Sequence, residues 1–166
     1  FAFSITILNA EAELMVLPLE QMIEKSDVIV VGTIQNTWID IRPFGDYKIV
    51  YTATIRVEKW LKNNNLSETL EIRYYGDWSQ KTDNLFGVHR SDTPIQKYDK
   101  GEKILLLASY EEPSMVMGEG YYPFHDGKYT VINDIVISEN GEKTKLEDMQ
   151  KMIGQNIAKN TNASKE

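Results

Sequence analysis

The two histidines, His89 and His125, are the first residues to consider for chemistry, because imidazole changes charge near neutral pH. The chain contains no other histidine, and the pattern places these two in different loops. Asp92 follows His89 closely, so an imidazole and a carboxylate can meet there. His125 precedes Asp126-Gly127 and is interpreted as a residue that flanks a turn. Neither histidine belongs to a hydrolase or zinc motif, so the sequence predicts no catalytic residue.

Metal and cofactor motifs are also incomplete. Alternating polar residues between Asp77 and Asp83 suggest a calcium loop, but Lys81 replaces an oxygen ligand and Thr82 replaces the required glycine. The absence of cysteine excludes thiolate metal sites, disulfides and cysteine nucleophiles. We therefore predict no metal and no cofactor, although an irregular site built from Asp77, Asp83 and Asp92 stays open as an alternative.

Aromatic residues carry the most informative chemical signal. The chain has three Trp, nine Tyr and five Phe, and several fall in segments without periodicity. We interpret 36–46 as one loop and 76–98 as part of a second, unusually long one. Loop aromatics can stack on sugars, bases or peptide side chains, but they can equally close the ends of a barrel. If a ligand binds, we predict that it lies where these two loops meet, contacting Trp38, Phe44, Trp78, Phe86, His89 and Arg90.

The composition describes one acidic globular domain. Of the 166 residues, 42% are hydrophobic and 26% are charged, close to the averages for folded domains. The formal net charge of −7 repels nucleic acid and anionic membranes. The predicted partner is therefore a protein, a peptide or a glycan, and no nucleic acid is expected.

The first residues have the form of an export signal. An uncharged apolar run over 1–8 precedes Ala10-x-Ala12, a spacing of small residues that suits signal peptidase. We expect residues 1–12 to be removed, leaving 13–158 as one domain and 159–166 as a flexible polar tail. The protein would then lie outside the cell or in its envelope. An N-terminal segment packed on the core is the alternative, and no other stretch has the length of a transmembrane helix.

The elements that hold these residues are mostly strands. A short helix near Leu19 leads to a strand over 28–34 that is apolar on both faces, in which Gly32 is a candidate bulge. Alternation predicts strands over 47–60 and 70–75, and 104–108 forms another buried strand. Asp126-Gly127 and Asn140-Gly141 are typical of hairpin turns. Thr144 and Glu147 match a capping box before a C-terminal helix, whose apolar stripe comprises Leu146, Met149, Ile153 and Ile157.

The order of these features resembles a known group of proteins. Ser26-Asp27 after the first helix, the strand over 28–34, the long strand continuing to Lys62 and the segment that opens at Gly101 resemble small exported prokaryotic proteins with an OB-like barrel. These are related in architecture to netrin-like and metalloprotease-inhibitor domains. The resemblance implies a mainly β fold, an OB-like antiparallel barrel with a short N-terminal helix and a C-terminal helix. The inhibitors chelate zinc through an N-terminal cysteine that this chain lacks, so their mechanism is not carried over.

These observations favour an exported, non-enzymatic module that binds a protein, peptide or glycan. One alternative is an enzyme whose acidic residues and histidines converge only in the folded chain, which a buried carboxylate beside His89 would indicate. Another is a purely structural domain of the cell envelope, which buried loop aromatics and the lack of a cleft would indicate.

Overall fold

A computed structural model describes residues 17–41, 49–63, 67–75, 97–113 and 118–163. The predicted signal segment 1–12 lies outside these ranges. The fold is mainly β with one helix at each end, as the sequence predicted. In chain order the elements are α1 (Leu19–Lys25), β1 (Val28–Ile41), β2 (Ile49–Lys62), β3 (Thr69–Tyr75), β4 (Lys103–Glu111), β5 (Gly120–Ile132), β6 (Ile135–Ile137), β7 (Lys143–Lys145) and α2 (Leu146–Ala163).

Five of these strands close into a barrel. Their order is β3-β2-β1-β4-β5, and β3 also pairs with β5. The closing pair is parallel, with Ile72 facing Tyr121, whereas the other neighbours in the barrel are antiparallel. A closed five-stranded barrel of this kind is OB-like, which confirms the predicted fold class. Strands β6 and β7 continue the sheet beyond β5.

Two apolar cores lie on opposite sides of β1 and β4. Because side chains alternate along a strand, Val28 and Val30 point into the barrel while Ile29 and Val31 point outward, against the helices. This explains the continuous apolar runs in both strands. The inner core comprises Val28, Val30, Ile34, Ala53, Ile55, Leu70, Ile72, Tyr98, Ile104, Leu106 and Ala108.

Gly32 lies at a predicted irregularity that the structure confirms. The register between β1 and β2 shifts between Val31 and Gly32. A Cβ atom at Gly32 would lie 2.4 Å from the carbonyl oxygen of Arg56 and 2.7 Å from Cγ2 of Ile55. Two backbones therefore approach each other more closely here than any side chain permits.

The hairpin predicted at Asp126-Gly127 is wrong. β5 runs through both residues, but Leu106 pairs with Lys128 and Ala108 pairs with Pro123. Residues 124–127 consequently form a four-residue bulge opposite Leu107 of β4. Gly127 is required there by close packing, because a Cβ atom would lie 2.6 Å from the carbonyl oxygen of Leu107.

The turn that ends β5 is instead Asn133-Asp134. Both residues have positive φ, 49° and 58°, which a two-residue hairpin of the primed type needs. The other predicted turn does join two antiparallel strands, β6 and β7, but it is a longer loop over 138–142 in which Gly141 has positive φ (85°) and Asn140 does not.

The C-terminal helix is confirmed, but its predicted cap is wrong. Thr144 lies in β7, where it pairs with Val136, and the helix begins at Leu146, whose N–H donates to the carbonyl oxygen of Asp134 (2.8 Å). The predicted stripe packs on the outer core through Leu146, Met149, Ile153 and Ile157. The helix continues to Ala163, six residues past Ile157, the last residue of this stripe. Within the described ranges, neither helix has the length and apolarity needed to cross a membrane.

Candidate functional site

Trp38 lies on a strand and not in the predicted loop. β1 extends to Ile41, and Trp38 pairs with Thr52 of β2. The register shifts between Ile34 and Asn36, and this shift interrupts the alternation of apolar and polar residues. This part of the strand was therefore not recognisable from the sequence pattern. A strand holds the indole more rigidly than a loop would.

Trp38 belongs to a row of three side chains across β1, β2 and β3. Thr52 pairs with Trp38 on one side and with Arg73 on the other, so the three lie on the same face of the sheet. Trp38 is 42% exposed, whereas Thr52 is only 2% exposed. In this register the short threonine lies between two large neighbours. We call Trp38, Thr52 and Arg73 the outer row.

The adjacent row on the same face is polar. Asn36 pairs with Thr54, and Thr54 pairs with Glu71, two residues along each strand from the outer row. Asn36 and Glu71 are exposed. The indole of Trp38 is thus followed along the face by an amide, a hydroxyl and a carboxylate. An apolar ring beside hydrogen-bonding groups can hold a ligand that has both kinds of surface.

The start of β5 supports the side chain of Arg73. A Cβ atom at Gly120 would lie 3.2 Å from Cδ and 3.3 Å from Nε of Arg73, so the arginine packs over this glycine. Because β3 and β5 form the parallel closure of the barrel, the position of Arg73 depends on barrel closure.

The other predicted contacts, Phe44, Trp78, Phe86, His89 and Arg90, lie outside the described residues. The strand ends show where their segments leave the barrel. Ile41 pairs with Ile49 and Tyr75 pairs with Val50. The segments 42–48 and 76–96 therefore start from neighbouring strand ends, although their meeting stays a prediction.

Three tyrosine rings pack together on the inner side of the barrel, Tyr51 of β2, Tyr74 of β3 and Tyr98 from the segment before β4. The ring centroids of Tyr51 and Tyr74 are 5.4 Å apart, and those of Tyr74 and Tyr98 are 4.3 Å apart. Burial raises the pKa of Tyr98, and it raises the pKa of Tyr74 to about 12. Tyr98 thus has the barrel-closing role that was the alternative interpretation of the aromatic residues. Trp38 is exposed and does not have this role.

A second cluster joins the β5 bulge to the β6–β7 loop. Ligand atoms of His125, Asp126 and Glu139 all lie within 4.8 Å of one another, and Nδ1 of His125 is 3.0 Å from Oδ1 of Asp126. Burial and the neighbouring carboxylate of Asp126 raise the pKa of Glu139. From the sequence, His125 was interpreted only as a residue that flanks a turn. Glu139 is distant along the chain, and no known motif has a spacing that links the two residues.

These features define an OB-like barrel with an exposed tryptophan on a rigid outer face. No protein-family model matches the chain, and no curated protein matches it either. Because OB-like barrels have many unrelated functions, the fold alone assigns none.

Proposed function

We propose that this chain is an exported, non-enzymatic module that binds a glycan on the outer face of β1, β2 and β3. The observation that carries the proposal is Trp38, a large aromatic ring that is 42% exposed on a regular strand. An indole on a rigid frame offers a large contact area at a low cost in conformational entropy. Residues of this kind dominate many binding interfaces.

The neighbouring side chains favour a sugar as the ligand. The apolar faces of sugar rings stack on indole, and their hydroxyls need donors and acceptors such as Asn36, Thr54, Glu71 and Arg73. The corresponding face of OB barrels binds oligosaccharides and oligonucleotides in other proteins. The net charge of −7 disfavours the oligonucleotide. A protein or peptide ligand is the alternative that the experiment distinguishes.

Export and a relation in architecture to netrin-like and metalloprotease-inhibitor domains are further parts of this proposal. Export is supported by the sequence pattern that ends at Ala12. We expect intact-mass analysis of protein secreted by its native host to give Glu13 as the first residue. Recovery of the secreted protein with Phe1 retained would contradict cleavage at this position.

Replacing Trp38 with alanine is expected to weaken ligand binding while leaving the fold intact. The wild-type protein is first screened on glycan and peptide arrays, and affinities are then measured by titration calorimetry. We expect Trp38→Ala to cost about 1–3 kcal/mol of binding free energy. The melting temperature should change little, because the removed ring is partly exposed.

Trp60→Phe provides a matched control. Trp60 lies towards the opposite end of β2, where its Nε1–H donates to the carbonyl oxygen of Ser67 (3.0 Å), and its loss should not affect the ligand. Unchanged affinity in Trp38→Ala, together with a large drop in melting temperature, would identify Trp38 as a packing residue. If the protein binds only peptides, the proposed ligand changes from a glycan to a peptide. If it binds on neither array, the proposal is contradicted.

A further inference from the structure

We propose that His125, Asp126 and Glu139 bind a divalent transition-metal cation, for which Zn²⁺ is the test ion. The three side chains supply one imidazole nitrogen and two carboxylates, whose ligand atoms lie within 4.8 Å of one another. Two ligands of one tetrahedral zinc ion, each about 2.0–2.2 Å from it, lie about 3.3–3.6 Å apart. A small side-chain rotation therefore brings all three atoms into range.

The backbone holds these side chains in place. His125 and Asp126 belong to the bulge of β5, which Gly127 packs tightly against the carbonyl oxygen of Leu107. Thr130 pairs with Ile137, and continuing this register places Glu139 alongside the bulge.

The loop that carries Glu139 is also ordered by hydrogen bonds. The N–H of Ser138 donates to the carbonyl oxygen of Glu142, and the N–H of Gly141 donates to that of Ser138, each at 3.0 Å. The N–H of Glu142 in turn donates to Oγ of Ser138 (3.0 Å). A preformed loop lowers the entropy that a cation must overcome on binding.

One buried oxygen of the cluster favours a cation. Oδ2 of Asp126 is buried and accepts no hydrogen bond within the part of the chain that the structure describes. A buried carboxylate oxygen without a partner is costly, and the second carboxylate, Glu139, adds repulsion when both are charged. The nearby Lys128 makes its ion pair with Glu102 (2.7 Å). A divalent cation would satisfy the oxygen and relieve the repulsion together.

The donor set selects among cations. Mg²⁺ and Ca²⁺ prefer sites made entirely of oxygen atoms, whereas Zn²⁺ binds imidazole together with carboxylates. Three protein ligands leave a fourth position for water. His125 and Glu139 are exposed, so a cation can enter from solvent. The site shares no residue with the outer row and does not rest on the proposed glycan function.

Titration calorimetry with ZnCl₂ on the chelator-treated full chain tests the proposal. We expect one zinc ion per chain, and an affinity lowered at least about tenfold in His125→Ala and in Glu139→Gln, since loss of outer-shell partners alone often has that effect. Glu147→Gln, which removes an exposed carboxylate of α2, is the matched control and should bind zinc normally. Mg²⁺ should bind far more weakly.

Asp126→Asn gives an independent measurement. This variant should lose zinc affinity, yet without metal it should be about as stable as the wild type, because the amide keeps an oxygen for His125 and removes the repulsion between the Asp126 and Glu139 carboxylates. Zinc should raise the melting temperature of the wild type and not of this variant. Three results would overturn the proposal: absence of one-to-one binding, wild-type zinc affinity in His125→Ala and Glu139→Gln, or an affinity for Mg²⁺ equal to that for Zn²⁺.

Discussion

Replacing Glu102 with alanine is expected to lower the free energy of unfolding by about 3 kcal/mol. Oε2 of Glu102 accepts a hydrogen bond from Nζ of Lys128 (2.7 Å), and Oε1 accepts one from Oγ1 of Thr130 (2.6 Å). The paired side chains are only 17% and 11% exposed. Truncating the acid leaves the ammonium of Lys128 largely buried without its counter-charge, and removing one partner of such a pair costs about 3–5 kcal/mol.

The position of Glu102 in the barrel increases this effect. Its backbone carbonyl accepts from the N–H of Ile34 (2.9 Å), and the N–H of Gly101 donates to the carbonyl of Ile34 (2.8 Å). The backbone therefore attaches the turn before β4 to β1, while the carboxylate attaches the same turn to β5. Glu102 thus links three strands of the barrel.

Glu58→Ala is the matched control for this prediction. Glu58 pairs with Lys103 at 2.9 Å, but these side chains are 36% and 35% exposed. Exposed pairs contribute about 0–1 kcal/mol, so this variant should unfold only slightly more easily than the wild type. Urea denaturation of both variants provides the comparison. Equal losses from Glu102→Ala and Glu58→Ala would show that burial of the Glu102 pair does not matter.

The barrel framework was predictable because its signals are local. Strands over 28–34 and 104–108 are continuous apolar runs, which a strand buried on both faces requires. The apolar stripe of α2 repeats at helical spacing. Ile153 lies on this stripe and is completely buried, so one apolar face of the helix is enough to predict how it packs. In such elements the pattern of apolar side chains directly indicates which face of the strand or helix is buried.

The strand positions that were predicted incorrectly lie at bulges. A bulge breaks the two-residue alternation, so the outer half of β1, including Trp38, looked like a loop. Asp126-Gly127 has the composition of a tight turn, but here the glycine serves a close backbone contact with Leu107. Turn composition alone does not distinguish these two uses of glycine.

The candidate sites depend on contacts between distant residues. Trp38 and Arg73 lie in one row only because β2 pairs with both neighbouring strands in a particular register. The His125 and Glu139 cluster likewise depends on the register of β5 and β6. A register is set by packing of the whole barrel, so no spacing in the sequence could reveal either arrangement.

Tyr98→Ala is expected to destabilise the protein most, by about 3–5 kcal/mol, the range for removing a large buried aromatic ring. Tyr98 is 4% exposed and packs with the inner core. Its ring packs against that of Tyr74 at a tilt of 38°, and Nζ of Lys128 lies 5.0 Å from its centroid. Trp38→Ala is the control, because its exposed ring should contribute little to stability. Equal urea midpoints for Tyr98→Ala and the wild type would show that Tyr98 does not close the barrel.

Tyr98→Phe separates the ring from its hydroxyl through the dependence of stability on pH. Unfolded tyrosine ionises near a pKa of about 10, whereas burial raises the pKa of Tyr98 in the folded chain. The folded state therefore retains a proton that the unfolded state loses, so the stability from this neutral phenol is complete below about pH 10 and declines as the pH rises further. Tyr98→Phe cannot ionise, and its free energy of unfolding should fall less steeply than that of the wild type above about pH 10. An identical alkaline decline in both proteins would mean that Tyr98 ionises as readily folded as unfolded, which its packing against Tyr74 should prevent.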